Sequence, residues 1–506
     1  MTTEGDERVV STEAEHADLP AGRTNLTLLR RLEIIAAIIA VPAIYTVFVA
    51  HFSMNVPYED DWTVVPLIHA ALHGQLTFGS LWALHNENRI FLPNLIFVTV
   101  GVLTHDDLRI LVALACGFFI AAFFAFLTAL RLYLGRPLTP VLALVLGIVW
   151  FSLEDWGNAL WAFQIAWYLI LFGLMVMLRL LMAAKHRTLA FTVAVLAAVC
   201  ASFSFLQGLA LWPVGLVCLM WTRPLDLRTW ARRDRAEMVI WLGASVATSV
   251  GALWGYKFQT LGCNVGGSLH FSCNGSVSSF ALHHPVTTLE FVLVEIGEII
   301  PNGQAHALWL NGVLGAALFG LAAYVVVQSV RQRHRRGYLP TTLIIFGLLF
   351  DLFVAVARAP FLTVLAPQSI YTMPNIIILI AIISYAWPHF DLGRPRARLV
   401  TVAAIVFLAA QVAVASYSGI DNARTYDHHQ TVAARLVVNL DKVPTRLQGC
   451  YDLYGEFVYL IFAPAVGKFT GFAEAKADHL TVFSPRLYWT YRSEGLPRIP
   501  QCQMHP

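Results

Sequence analysis

Apolar residues in this chain gather in long runs, not at helical or strand spacing. A helix crossing a bilayer core of ~30 Å needs ~20 such residues in succession. Runs of about that kind lie near 33–52, 108–132, 138–153, 161–183, 189–206, 209–222, 238–257, 306–330, 341–358, 372–388 and 399–416. They predict an all-α polytopic membrane protein with about eleven transmembrane helices. One more apolar stretch, 90–104 (IFLPNLIFVTVGVLT), is short for a span and carries Pro93 and Asn94 near its start. Polar segments separate the runs, and no internal repeat of fixed period is visible.

Basic residues decide how the runs thread. If 90–104 crosses, then Arg131, Arg136, Lys185, Arg187 and the group Arg223, Arg228, Arg232, Arg233 and Arg235 all fall outside, against the positive-inside rule. If it does not cross, every one of these moves to the cytoplasm. Arg331, Arg333, Arg335 and Arg336, then Arg394, Arg396 and Arg398, go with them. Segment 90–104 is therefore expected to be embedded without spanning. The chain divides into a disordered cytoplasmic tail over 1–32, a transmembrane domain over 33–416 and an extracytoplasmic C-terminal domain over 417–506. A large first outside loop over 53–107 contains the embedded segment. No secretory signal is expected ahead of the first helix, and the localisation is an inner or plasma membrane, multi-pass.

Composition narrows the class without changing this outline. Hydrophobic residues are 58% of the 506 and charged residues 13%, with a formal net charge of +3. That excludes an ordinary soluble enzyme and gives no basic face for nucleic acid. Of the seven cysteines, Cys116, Cys200 and Cys218 fall inside apolar runs. The other four fall on the outside, where disulfides persist. Cys263 with Cys273 and Cys450 with Cys502 is the economical pairing, and no Cys or His/Cys spacing marks a zinc site, so no metal ligand is assigned.

Polar residues near the outer surface supply the candidate chemistry. The first loop opens with Tyr58, Glu59, Asp60, Asp61 and Trp62, and carries His85, Asn86, Glu87, Asn88 and Arg89 just before the embedded segment. Three adjacent carboxylates beside a bilayer need water or a cationic partner. A second outside loop brings Glu154, Asp155, Trp156, Asn158, Trp161 and Gln164, and Gln207 sits at a later outside turn. Arg358 ends its helix on the outside, near Ser369 and Tyr371, and its fork suits a phosphate or a carboxylate. No Gly-rich phosphate loop, HExxH or GxSxG is present. Helix interiors hold few charges, Asp351 and Glu295 chiefly, which disfavours an ion-coupled transporter.

This order of elements resembles the GT-C superfamily of polyprenyl-phosphate-sugar-dependent glycosyltransferases. It is most similar to little-characterised bacterial membrane members with DDW and HNExR in the first outside loop. The matching residues are Asp60-Asp61-Trp62, His85-Asn86-Glu87-Asn88-Arg89 with Phe91 and Pro93, Ser204-Phe205 with Gly208-Leu209 and Trp212-Pro213, and Arg358 with Ser369 and Tyr371. Ile370 departs from the pattern, which places Arg there, and the resemblance covers about residues 30–390.

The resemblance implies transfer of a sugar from a polyprenyl-phosphate-linked donor to a glycan or lipid acceptor on the extracytoplasmic side. Asp60 or Asp61 would be the catalytic base, with Asp60 preferred from the family's habit of placing its base early in this loop. Arg358, Arg89 and His85 would hold the donor phosphate. Glu154, Asp155, Glu87, Gln164, Gln207 and Tyr371 would bind substrate. No cofactor is assigned, and a divalent metal is left open. The rival readings are a membrane glycan polymerase or ligase and, further off, a lipid-linked-saccharide transporter.

Overall fold

The computed structural model describes residues 21–182, 187–221, 223, 228, 230–256, 277–300, 308–332, 338–359, 366–389, 395–457 and 471–503. Among them the secondary structure is helical, apart from one isolated bridge between His85 and Asn88. Helix α1 (Ala21–Phe52) leads into α2 (Asp61–Leu72), α3 (Phe78–Trp82) and α4 (Phe91–Thr104). Then come α5 (Leu108–Leu134), α6 (Pro140–Trp150), α7 (Trp156–Leu160), α8 (Ile165–Leu181), α9 (Arg187–Ser202), α10 (Leu211–Trp221) and α11 (Arg232–Leu253). The chain continues through α12 (Val277–His283), α13 (Pro285–Gly297), α14 (Leu308–Gln332), α15 (Tyr338–Arg358), α16 (Thr372–Ala386) and the long α17 (Pro395–Val438). Four short helices finish it: α18 (Gln448–Phe457), α19 (Gly471–Ala477), α20 (Pro485–Glu494) and α21 (Pro500–Gln503).

Each of the eleven apolar runs holds a helix, and eight of the described helical stretches are long and apolar enough to cross a membrane. The chain is a polytopic membrane protein. α5 packs along α8, α8 along α9, α13 along α14 and α15 along α16. Between α5, α6 and α8 the core is aromatic, with Phe119, Phe123, Phe126, Trp150 and Tyr168 fully buried. In lipid, helices do not gain from burying apolar surface against each other, so such ring packing and close backbone contact carry the association.

Several expectations change in detail. The tail expected over 1–32 is helical from Ala21, because α1 extends through Arg30 and Arg31 ahead of its apolar part. The runs near 189–206 and 209–222 form helices of 16 and 11 residues, α9 and α10, joined by a 3-10 turn at Leu206–Ala210. α11 begins at Arg232 and not near 238. Its polar first turns are held by Arg223, which reaches Asp234 at 3.1 Å and Glu237 at 2.6 Å, and by Arg233 on Glu237 at 3.1 Å.

α13 was not expected at all, since Thr287, Thr288, Glu290 and Glu295 dilute its hydropathy. It packs on α14 so closely that a Cβ on Gly297 would fall 1.9 Å from the Asn311 carbonyl oxygen. No break falls at 417: α17 runs for 44 residues, about 66 Å at 1.5 Å per residue, far beyond a ~30 Å core.

Candidate active site

Tyr58 to Trp62 form a tight turn into α2. Glu59 sits at φ 44°, a left-handed conformation that costs a non-glycine residue energy and survives where the surroundings enforce it. Here the Tyr58 carbonyl accepts from the Asp61 N–H at 3.0 Å and from the Trp161 ring N–H at 3.2 Å. The Tyr58 ring stands edge-on to Trp161 and to Tyr426 of α17, each at 5.4 Å between centroids.

Asp60 is already helical at φ −67°, ψ −13°, and Asp61 is the first residue of α2, so the pair does not point to opposite sides as neighbours in an extended segment do. The two still part company. Asp61 is 6% exposed, and its Oδ2 accepts the Tyr58 N–H at 3.0 Å. Burial drives its carboxyl well above the usual range, with backbone hydrogen bonds from Tyr58 and Phe163 opposing. The Asp60 side chain is 31% exposed and meets His85 Nε2 at 3.3 Å.

His85 stands at one end of a turn closed by two hydrogen bonds with Asn88, each 2.8 Å, with Asn86 at φ 51°, which asparagine tolerates well. The His85 ring lies 4.9 Å from Phe163. Its Nδ1 is 3.4 Å from Thr63 Oγ1, so both nitrogens are placed. The Asn88 side chain accepts the Leu206 N–H at 3.1 Å, tying the turn to the segment that holds Gln207. That segment approaches α9 so closely that a Cβ on Gly208 would fall 1.9 Å from the Ala201 carbonyl oxygen, which only glycine avoids.

The turn brings Glu87 to within 3.9 Å of Arg358, at the end of α15. Arg358 also hydrogen-bonds Tyr371 and lies in the field of Asp60 and Glu59. Glu59, Asp60, His85, Glu87, Arg358 and Tyr371 thus form one polar cluster, contributed by the first loop, α15 and the turn before α16. Burial pushes the Glu59 carboxyl up to about 7, and Asp60 adds to this while Tyr58 and Arg358 oppose it. Glu59 belongs to the cluster too; the sequence singled it out as one of three adjacent carboxylates needing a cationic partner, but gave it no role of its own.

Other expected site residues lie elsewhere. Arg89 is buried, and it donates to the backbone carbonyls of Trp82, Ala252 and Trp254 while stacking over the Trp82 ring at 4.9 Å. Its guanidinium closes the carbonyl end of α11 and leaves the donor-phosphate set. The expected second outside loop, 154–164, is a string of short helical turns folded into the protein. Asp155 is fully buried, and it accepts from Asn158 at 2.6 Å and from the Tyr168 hydroxyl at 2.8 Å, with Tyr45 3.1 Å beyond.

Glu154 points toward Ser418 and Glu298, beside the place where α17 comes so near that a Cβ on Gly419 would lie 2.2 Å from the Leu153 oxygen. Gln164 and Gln207 are buried, and among the described residues Gln207 Oε1 has no hydrogen-bond partner. Glu154, Asp155 and Gln164 are thus all buried in the fold.

Cys450 and Cys502 are bonded, joining α18 to α21. The expected Cys263–Cys273 pair lies outside the described residues. A cavity of about 610 Å³ opens between the α4–α5 corner and α20, lined by His105, Asp107, Arg109, His479 and Arg486 among others. None of the Asp60 cluster lines it.

No family model matches the sequence, and no match is found among curated proteins. Among solved structures, the chain is similar to the archaeal oligosaccharyltransferase AglB from Archaeoglobus fulgidus, solved in complex with an inhibitory peptide and a dolichol-phosphate. The TM-score is 0.42 and the identity 12%, over 85% of this chain and 60% of that one. The chain thus spans about 60% of the AglB chain's length.

Proposed function

We propose that this chain transfers a sugar from a polyprenyl-phosphate-linked donor to a glycan or lipid acceptor on the extracytoplasmic face of the membrane. The observation that supports this reading is the cluster in which Asp60, in contact with His85, lies in the field of Arg358, itself paired with Glu87 at the end of a helix long and apolar enough to cross a membrane. A lipid-linked donor keeps its isoprenoid chain in the bilayer while its phosphosugar reaches water. A carboxylate and a guanidinium at a helix end suit that boundary.

In the step we infer, the acceptor hydroxyl attacks the anomeric carbon and Asp60 takes its proton. The bond from that carbon to the phosphate oxygen breaks, and the lipid phosphate leaves with the electron pair as an anion. Arg358 and the Tyr371 hydroxyl stabilise that charge, and His85 holds Asp60 in place. Direct displacement in this form inverts the anomeric centre. Among the described residues, three ligating side chains converge within 4.8 Å away from this cluster and not in it.

The topology that accompanies this reading has the N-terminus in the cytoplasm, 53–107 and 417–506 outside, and 90–104 embedded without crossing. Asp60→Asn, assayed in vesicles with a polyprenyl-phosphate sugar, is expected to lose ~10²- to 10⁴-fold in turnover with donor binding kept, as for loss of a positioned base. Asp61→Asn is expected to act on folding and not on the chemical step. Full turnover in Asp60→Asn would remove the first loop from the mechanism.

A further inference from the structure

His69 lies in the last turn of α2 and His73 caps its C-terminus, so the two stand one turn apart on the same side of the helix. Asp478, directly after α19, reaches that face from the far end of the sequence. Its Oδ2 is 2.7 Å from His69 Nδ1, and its Oδ1 is 3.0 Å from His73 Nε2. The two imidazole centroids are 4.4 Å apart. One ligating atom from each of the three residues lies within 4.8 Å of the others. α19 can dock there because Gly471 has no side chain: a Cβ would fall 2.5 Å from the Trp62 carbonyl oxygen.

We propose that His69, His73 and Asp478 bind a divalent transition-metal ion, zinc by preference, and that the ion fastens the C-terminal segment to the first loop. Zinc bonds nitrogen and oxygen at roughly 2.0–2.2 Å, so tetrahedral ligands stand about 3.3 Å apart. The present separations need little adjustment to admit it. Two imidazoles and one carboxylate are three protein ligands, and the fourth position faces water, since His73 is half exposed. With the ion bound, each neutral imidazole ligates through its inward nitrogen and carries its proton on the outward one. His69 lies two turns along α2 from Asp61, which separates this site from the Asp60 cluster. The ligands are 409 residues apart for one pair and 405 for the other, so the ion closes a loop comprising most of the chain.

The test uses the full chain in detergent, freed of any histidine tag, stripped with a chelator and titrated with zinc or cobalt alone. The expected result is one equivalent bound, with the visible bands of four-coordinate cobalt and a zinc-dependent rise in melting temperature. Removal of a ligand should cost more than the ~10- to 100-fold typical of an outer-shell partner. His73→Ala and Asp478→Asn should each show this. Asp478→Asn separates the metal from a plain hydrogen-bonded clip, because asparagine still accepts from imidazole while ligating zinc poorly. If wild type binds zinc no more tightly than the His69→Ala/His73→Ala double variant, with both folded by circular dichroism, the site does not exist. Unchanged zinc binding in Asp478→Asn would likewise overturn the three-ligand assignment.

Discussion

At the residue scale, the cluster around Asp60 gathers three acids, Glu59, Asp60 and Glu87, about one arginine, Arg358, with His85 and Tyr371 at its edge. The Glu59 carboxyl, ordinarily at 4.5, is raised to about 7, chiefly by burial. It is therefore neutral below about pH 7 and charged above it. A charged Glu59 competes with an anionic donor for Arg358, so the donor KM should rise severalfold from about pH 6 to about pH 8. In Glu59→Gln that rise should disappear, which initial-rate kinetics at fixed acceptor will show. The stability sign follows the same shift. The folded protein binds the extra proton between about 4.5 and 7, so stability attributable to Glu59 is full below the lower value and declines as pH climbs through the upper one. Legibility at this scale was partial. The types and spacing of Asp60, His85, Glu87 and Arg358 singled them out, but the sequence held no sign that Asp61 turns inward to a backbone N–H.

At the element scale, long apolar runs mark helices, and so all eleven have a helix within them. Where helices end and what closes them is a matter of neighbours. Arg89 looked like a phosphate ligand because it follows the HNEN turn, yet it closes the carbonyl end of α11 through Ala252 and Trp254. Cations suit that end of a helix through its dipole and its free carbonyls. Arg89→Lys keeps the charge and loses the fork, so it should lower stability by about 1–3 kcal/mol and leave the donor KM of the folded fraction unchanged. Thermal unfolding beside KM determination separates the two roles. A donor KM raised tenfold with no loss of stability would return Arg89 to the phosphate set. α13 shows the converse error, since a short helix that buries Thr288 and Glu295 among its apolar residues escapes a hydropathy reading.

At the scale of the whole molecule, the question is whether 90–104 crosses. α4 has 14 residues, about 21 Å of helix against a ~30 Å core. It lies alongside α2, where Ile68 fills the space above Gly101. The Leu92 N–H at its start bonds the Phe203 carbonyl, and at its far end the His105 carbonyl accepts the Thr481 N–H. Its C-terminal end is thus tied to the same C-terminal segment that meets His69 and His73. On the proposed topology both ends of α4 meet outside segments, as an embedded segment requires. They predict that a cysteine placed at the exposed Arg136, after α5, stays unlabelled by an impermeant maleimide on intact cells and reacts once the membrane is opened. Labelling on intact cells would reverse the assignment for every later helix.

What the sequence determined by itself is what depends on solvent preference: which runs are long and apolar enough to cross a membrane, and which polar segments between them collect arginines and acids. Those properties are summed over neighbours in the chain and need no partner from far away. Tertiary structure alone decided which boundary residues meet. Asp478 reaches His69 across 409 positions, Tyr426 of α17 walls in Tyr58, and Gly419 lets α17 touch the turn that buries Glu154. The HxxxH spacing at 69 and 73 was visible, but two imidazoles become a ligand set only when packing brings a carboxylate between them. The same packing separated Asp60 from Asp61, since burial and hydrogen bonding are properties of the surroundings and not of the residue type.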